Sequence, residues 1–198
     1  SFLMTHKLLL LVAFCFLIFC KTDAAAASTR EPITEEKAEL GEQLLMAVRS
    51  NNYMIACRLL SMGANINYKN DFGISALTIA SEVGDEEMIQ MLLENERIDV
   101  NVVNLYGETA LMWASRTART EIVRMLLQFK VINVNAVNLS GTTALICASR
   151  NGHKEIVSIL LRAEGIDVEV VDSHGRTALK WASLSGYQEI IEMLSLHV

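Results

Sequence analysis

The apolar positions of this chain fall into two regimes. Leu8 to Cys20 is an unbroken apolar run of 13 residues, LLLLVAFCFLIFC. From about Leu44 onward, apolar residues come instead in short stripes that return at a fixed interval. GISALTIAS begins at Gly73, GETALMWAS at Gly107, GTTALICAS at Gly141 and GRTALKWAS at Gly175, each 34 residues after the last. A second block keeps that register: GDEEMIQMLL from Gly84, ARTEIVRMLL from Ala118, GHKEIVSILL from Gly152 and GYQEIIEMLS from Gly186. A weaker copy, LLMAVRSNNYMIACRLL, starts at Leu44 at an offset of 33. Self-similarity at such a period is the mark of a repeat architecture.

Each unit reads as two short helices and a turn. Ala110, Leu111 and Ala114 recur at i, i+1 and i+4, and Ile122, Val123, Leu126 and Leu127 form a second helical stripe. Ser75, Thr109, Thr143 and Thr177 stand where a hydroxyl caps the first N–H groups of a helix. Gly84, Gly152 and Gly186 end the first helix with a left-handed residue. Ala118 holds that place in the third unit, at a cost of roughly 1–2 kcal/mol, which predicts a local weak point. Glu87, Glu121, Glu155 and Glu189, also 34 apart, compensate the dipole at the start of the second helix. The stretches DVNVVN, NVNAVN and DVEVVD alternate apolar and polar, which predicts short extended, β-hairpin-like arms. Helices below ~12–15 residues are marginal alone, so the units must lean on one another. The expected fold is an all-α solenoid of stacked helix-turn-helix units.

These residues resemble the ankyrin repeat, whose pattern runs D-x-x-G-x-T-P-L-H-x-A, then G-H-x-E-I-V-x-L-L, then G-A-D-V-N. Asn138, Gly141, Thr143, Leu145 and Ala148 match the first part. Gly152, His153, Glu155, Ile156, Val157, Leu160 and Leu161 match the second, and Gly63-Ala64-Asn65-Ile66-Asn67 the third. The resemblance covers 40–198, as repeats of about 40–70, 71–104, 105–138, 139–172 and 173–198. It implies a module that binds another protein through a concave face, without catalysis. The departures are consistent: Ala replaces the Pro that opens the first helix, and Thr78, Met112, Ile146 and Lys180 replace the His. Units two to four carry one extra residue after the second helix.

Ahead of the repeats, Lys7, the greasy run and Ala24 to Ala27 make residues 1–27 a signal peptide. The alternative is an uncleaved anchor, although 13 residues at ~1.5 Å rise span only about 20 Å of a ~30 Å hydrocarbon core. Residues 28–39 read as a linker or N-terminal cap. Ser1-Phe2-Leu3 precede Met4, so upstream sequence or a fragment is expected. The implied localisation is the secretory pathway or the extracellular space, or membrane attachment if the run is retained. Asn138-Leu139-Ser140 then becomes a glycosylation acceptor at a repeat tip.

Composition narrows the chemistry. The net charge is -6, from 17 basic and 23 acidic residues, which argues against a nucleic-acid partner. His6, His153, His174 and His197 show no ligand spacing, so neither a metal site nor a His-assisted nucleophile is expected. Gly73, Gly107, Gly141 and Gly175 are lone turn glycines and not a phosphate cradle. No cofactor is expected. Once the leader is removed only Cys57 and Cys147 remain, three units apart and beyond disulfide reach, as buried fillers. Trp113 and Trp181 occupy equivalent positions and read either as core or as aromatic anchors on the partner-facing groove.

Side chains that differ between units at matching places are the expected partner contacts. At the tips these are Phe72, Tyr106, Ser140 and His174. One step past the Gly they are Ile74, Glu108, Thr142 and Arg176, and past the first helix Glu82, Arg116, Arg150 and Leu184. Arg116 and Arg150 mark a basic spot on an acidic chain. Ile191, Met193, Leu196 and Val198 keep the last repeat apolar, which suggests self-association there or a regulatory fragment of a longer polypeptide. Three readings stand: a secreted binding module, such a fragment, or a membrane-tethered scaffold.

Overall fold

The computed structural model describes residues 34–197. The expectations for the leader, the start at Met4 and Val198 lie outside the described residues. Among the described residues ten helices follow one another in pairs: α1 Thr34–Arg49 and α2 Tyr53–Ser61, α3 Ala76–Val83 and α4 Glu86–Leu93, α5 Ala110–Arg116 and α6 Thr120–Leu127, α7 Ala144–Arg150 and α8 Lys154–Leu160, α9 Ala178–Ser185 and α10 Gln188–Ser195. The first helices stack in the order α1, α3, α5, α7, α9, and the second helices α4, α6, α8, α10 stack beside them. The fold is the all-α solenoid that the period predicts. Among the described residues no helix is long and apolar enough to cross a membrane.

Sequence dictates the two layers. Ala76, Ala80, Ala110, Ala114, Ala144, Ala148, Ala178 and Ala182 are all buried along the first helices. Such small residues at i and i+4 let neighbouring helices approach closely. The second helices bury larger groups, Met88, Leu92, Ile122, Leu126, Ile156, Leu160, Ile190 and Leu194. The hydroxyls of Ser75, Thr109, Thr143 and Thr177 accept from the N–H groups of Thr78, Met112, Ile146 and Lys180, the capping read from the sequence. Where Thr78 replaces the family's His, its hydroxyl pairs with that of Ser75 at 3.0 Å, so the second unit keeps a side-chain bond at this turn.

Residues 34–39, read as linker or N-terminal cap, form the first turns of α1, a 16-residue helix. Of the β-hairpin-like arms, one antiparallel bridge is present, Lys69 to Ser75. The arms are turns instead, because their polar side chains bond the backbone in place of a strand ladder. Each arm carries Asn70, Asn104, Asn138 or Asp172, whose Oδ1 accepts from the N–H groups two and four residues on. A further ladder ties arm to arm. Asn67, Asn101 and Asn135 each donate to a carbonyl of the next unit, at Arg97, Val131 and Gly165, 2.7 Å away in each case. Each also accepts from a following N–H, at Asp99, Asn133 and Asp167.

Gly84, Gly152 and Gly186 have φ of 87°, 77° and 76°, and Ala118 takes the same left-handed conformation at 60°. Ile191 and Met193 are half-buried against the core and not exposed, whereas Leu196 is exposed. Lys180, Ser183 and Ser195 are exposed where their counterparts Ile146, Ser149 and Leu161 are buried. The outer side of the last pair is thus more polar than its apolar residues alone suggested.

Candidate functional site: the face of arm tips and first helices

The arms anchor through buried apolar side chains and display others. Ile66, Val100 and Val134 are buried beneath successive arms. Across the top, backbone bonds set the arms in register: Leu105 N–H to the Phe72 carbonyl at 3.1 Å, Leu139 N–H to Tyr106 at 2.9 Å and Ser173 N–H to Ser140 at 2.9 Å. Close approach of the arms is possible because Gly73 has no side chain; a Cβ there would meet Leu105 N at 2.8 Å. Phe72, Tyr106, Leu105 and Leu139 are consequently held out, at 64%, 65%, 62% and 78% exposure, with Val103, Val137 and Val171 exposed between them.

Phe72, Tyr106, Ser140 and His174 are exposed tips, as read from the sequence, and Glu82 and Leu184 are exposed as well. Ile74 is half-buried against the core. Glu108 and Thr142, expected among the partner contacts, are each only 7% exposed. Glu108 is drawn inward by bonds: Oε2 accepts from Asn104 Nδ2 at 3.0 Å, and Oε1 pairs with Arg116. Thr142 sits at the same place and is tied to Asn138 through both its N–H and its carbonyl. Asn138 itself is half-buried, with Oδ1 committed to the turn.

The arginines do not simply reach into solvent. Arg116 lies over the Trp113 ring at 4.4 Å, and Arg150 and Arg176 lie over Trp181 at 5.3 and 4.0 Å. Both tryptophans are half-buried, between the two roles read for them. Trp181 Nε1 donates to Asp172 Oδ2 at 2.9 Å, and Arg176 pairs with the same oxygen at 3.1 Å. Burial pushes the Asp172 carboxyl up, but the N–H groups of Arg176 and His174, the Trp181 indole and the Arg176 guanidinium outweigh it and hold its pKa down to about 2. Trp113 Nε1 finds no such partner, because Asn104 stands where Asp172 does and gives its amide to Glu108. Glu108, Arg116, Trp113, Arg150, Trp181, Arg176 and Asp172 thus form one polar and aromatic strip beside the apolar tips.

Cys147 lies buried between the two tryptophan units. Burial raises its pKa despite the pull of Arg116 and Arg150, so the thiol stays protonated near neutral pH. Cys57 is half-buried, and not fully buried as expected, one turn after Tyr53 in α2. His153 Nε2 lies 3.0 Å from the Arg116 carbonyl, a bond between units. Among the described residues no group of three His, Cys, Asp or Glu is placed to hold a metal. The recurrent glutamates sit in the first turns of α4, α6, α8 and α10, as expected; Arg124 pairs with Glu121 within α6 at 3.2 Å, and two pairs bridge units, Arg124 with Glu155 at 2.8 Å and Lys154 with Glu189. Two shallow depressions of about 200 and 240 Å³ lie along the second helices, lined by Leu161, Met193 and Leu196, and by Lys154, Tyr187 and Glu189.

What the sequence reading missed is Leu105 and Leu139, which join the expected Phe72 and Tyr106 among the exposed apolar groups. Leu105 and Leu139 recur at 34 and flank the tips, but alternation along the arm does not say which side of a turn meets solvent. A family model described as ankyrin repeats (3 copies) matches residues 44–138 and 129–197. No curated protein matches the chain.

Proposed function

Since the chain belongs to the ankyrin-repeat family, we propose that it is a non-enzymatic module that captures another protein on the face of arm tips and first helices. Ankyrin repeats are protein–protein interaction modules in general, and each of the five helix pairs here counts as one. The observation that carries the reading is the exposed apolar stripe through Phe72, Leu105, Tyr106 and Leu139. Its residues are held rigidly in register by backbone bonds, so docking costs little ordering of the receptor. Polar groups beside the stripe supply the orientation that apolar contact lacks.

Site-specific photo-crosslinking tests this. A crosslinker replacing Tyr106 or Leu139 should label a discrete partner, while one at Gln90 or Glu121 on the second helices should not. Equal labelling from both sides, or labelling from the second helices alone, would refute it.

The compartment belongs to the same reading. Lys7, the run Leu8 to Cys20 and the small residues Ala24 to Ala27 support entry into the secretory pathway, where Asn138 would present its acceptor sequence. N-terminal sequencing of the expressed chain decides between cleavage and a retained anchor. A mature start near Ala25 to Ser28 supports secretion, and an intact run supports tethering. Glycosidase treatment that leaves the mass unchanged counts against glycosylation at Asn138.

A further inference from the structure

The inner strip contains three arginines but only two carboxylates. Arg116 is paired with Glu108, and Arg176 with Asp172. Arg150 is the counterpart of Arg116 one unit on, 34 residues later. At the place of Glu108 that unit has Thr142 instead. Among the described residues no acid pairs with Arg150, which rests on the ring of Trp181. Cys147, buried, holds in this unit the place that Trp113 and Trp181 hold in the neighbouring units. Tyr106 and Leu139 are exposed at the tips of the arms that precede α5 and α7.

We infer that Arg150 takes a carboxylate from the partner, and that the partner presents it on an extended segment in which an Asp or Glu lies between apolar residues. Cation–π attraction, at 5.3 Å from the Trp181 ring centre and beside the already paired Arg176 at 4.0 Å, holds the Arg150 guanidinium here, and its N–H groups suit bidentate pairing with a carboxylate. The acidic group completes in trans the pair that Glu108 makes in cis, while neighbouring apolar side chains lie on the tip stripe. An extended chain fits this spacing: units stack ~8–10 Å apart, which about three extended residues span. The inference rests on the reading of this face as the docking surface.

An unbiased random dodecapeptide display library, selected against the full chain, provides the test. Expected are peptides with an Asp or Glu beside apolar residues, whose affinity falls roughly tenfold or more on Arg150→Gln, the range for a charge-assisted bond. Thr142→Glu should weaken them similarly, by closing the pair internally as Glu108 does; the melting temperature of each variant checks its folding. Trp181 emission in a Trp113→Phe background should respond to binding, because the chain has only 2 tryptophans. Peptides lost on Tyr106→Ala but indifferent to both Arg150→Gln and Thr142→Glu would overturn the carboxylate inference and leave the docking face standing. Peptides indifferent to all three, or no enrichment at all, would overturn both. Competition by a heparin fragment with the same Arg150 dependence would mean a general anion site, and would overturn the peptide assignment.

Discussion

Replacing Ala118 by Gly should stabilise the fold. Ala118 holds φ of 60°, in the region where its three counterparts are glycines at 87°, 77° and 76°. A Cβ in that conformation costs roughly 1–2 kcal/mol. Glycine loses more backbone entropy on folding, which takes back roughly 0.5–1 kcal/mol. The net gain is about 1 kcal/mol, or roughly 2–4 °C in melting temperature for a chain of this size. The N–H bond from Arg119 to the Ala114 carbonyl, 2.9 Å, closes this turn and stays available to Gly. Calorimetry and urea titration measure the change, and amide exchange around α5 and α6 should slow most, because repeat stability is local. The reverse substitution, Gly152→Ala, should cost more than the first gains, since its Cβ would also meet the Tyr187 ring at 2.6 Å. An Ala118→Gly variant that melts at or below the parent temperature would refute the strain argument.

Gly41→Ala drives a Cβ to 2.2 Å from the Tyr68 ring and should destabilise the first unit by about 1–3 kcal/mol, read by thermal melting. Asn101→Ala removes one bond to the Val131 carbonyl and one from Asn133 N–H, and should cost about 1–2 kcal/mol in urea titration, with loosened exchange between the second and third units. Asp172 has its pKa lowered from 3.8 to about 2, so its ionised form contributes stability above about pH 4, and the contribution is lost as pH falls through about 2. Asp172→Asn should therefore lower the melting temperature at neutral pH and flatten this part of the acid limb; an unchanged pH profile would count against the assignment.

Most of the architecture was legible because it is written in the period. Thr143 and its counterparts cap as expected, since capping depends on residues three apart and not on tertiary context. Glu108 and Thr142 show where such reasoning stops. Both vary between units, and variation reads as freedom from the fold, but Glu108 is fixed by Arg116, eight residues away at the far end of α5. The half-buried tryptophans depend likewise on partners that periodicity cannot supply: Asp172 answers Trp181, and Asn104 does not answer Trp113. The asparagine ladder through Asn67, Asn101 and Asn135 was open to detection from its interval alone. An Asn in an arm nonetheless looks like ordinary turn composition, which hides it.

The alanine spine of the first helices has a geometric outcome for whatever docks above it. A module thin along one edge and thick along the other is a wedge, and wedges laid side by side make an arch. Bulk added at a single alanine, Ala114 for example, would re-aim every tip beyond it, much as one swollen voussoir tilts a vault. A ligand spanning several tips would then sense a methyl group it never touches.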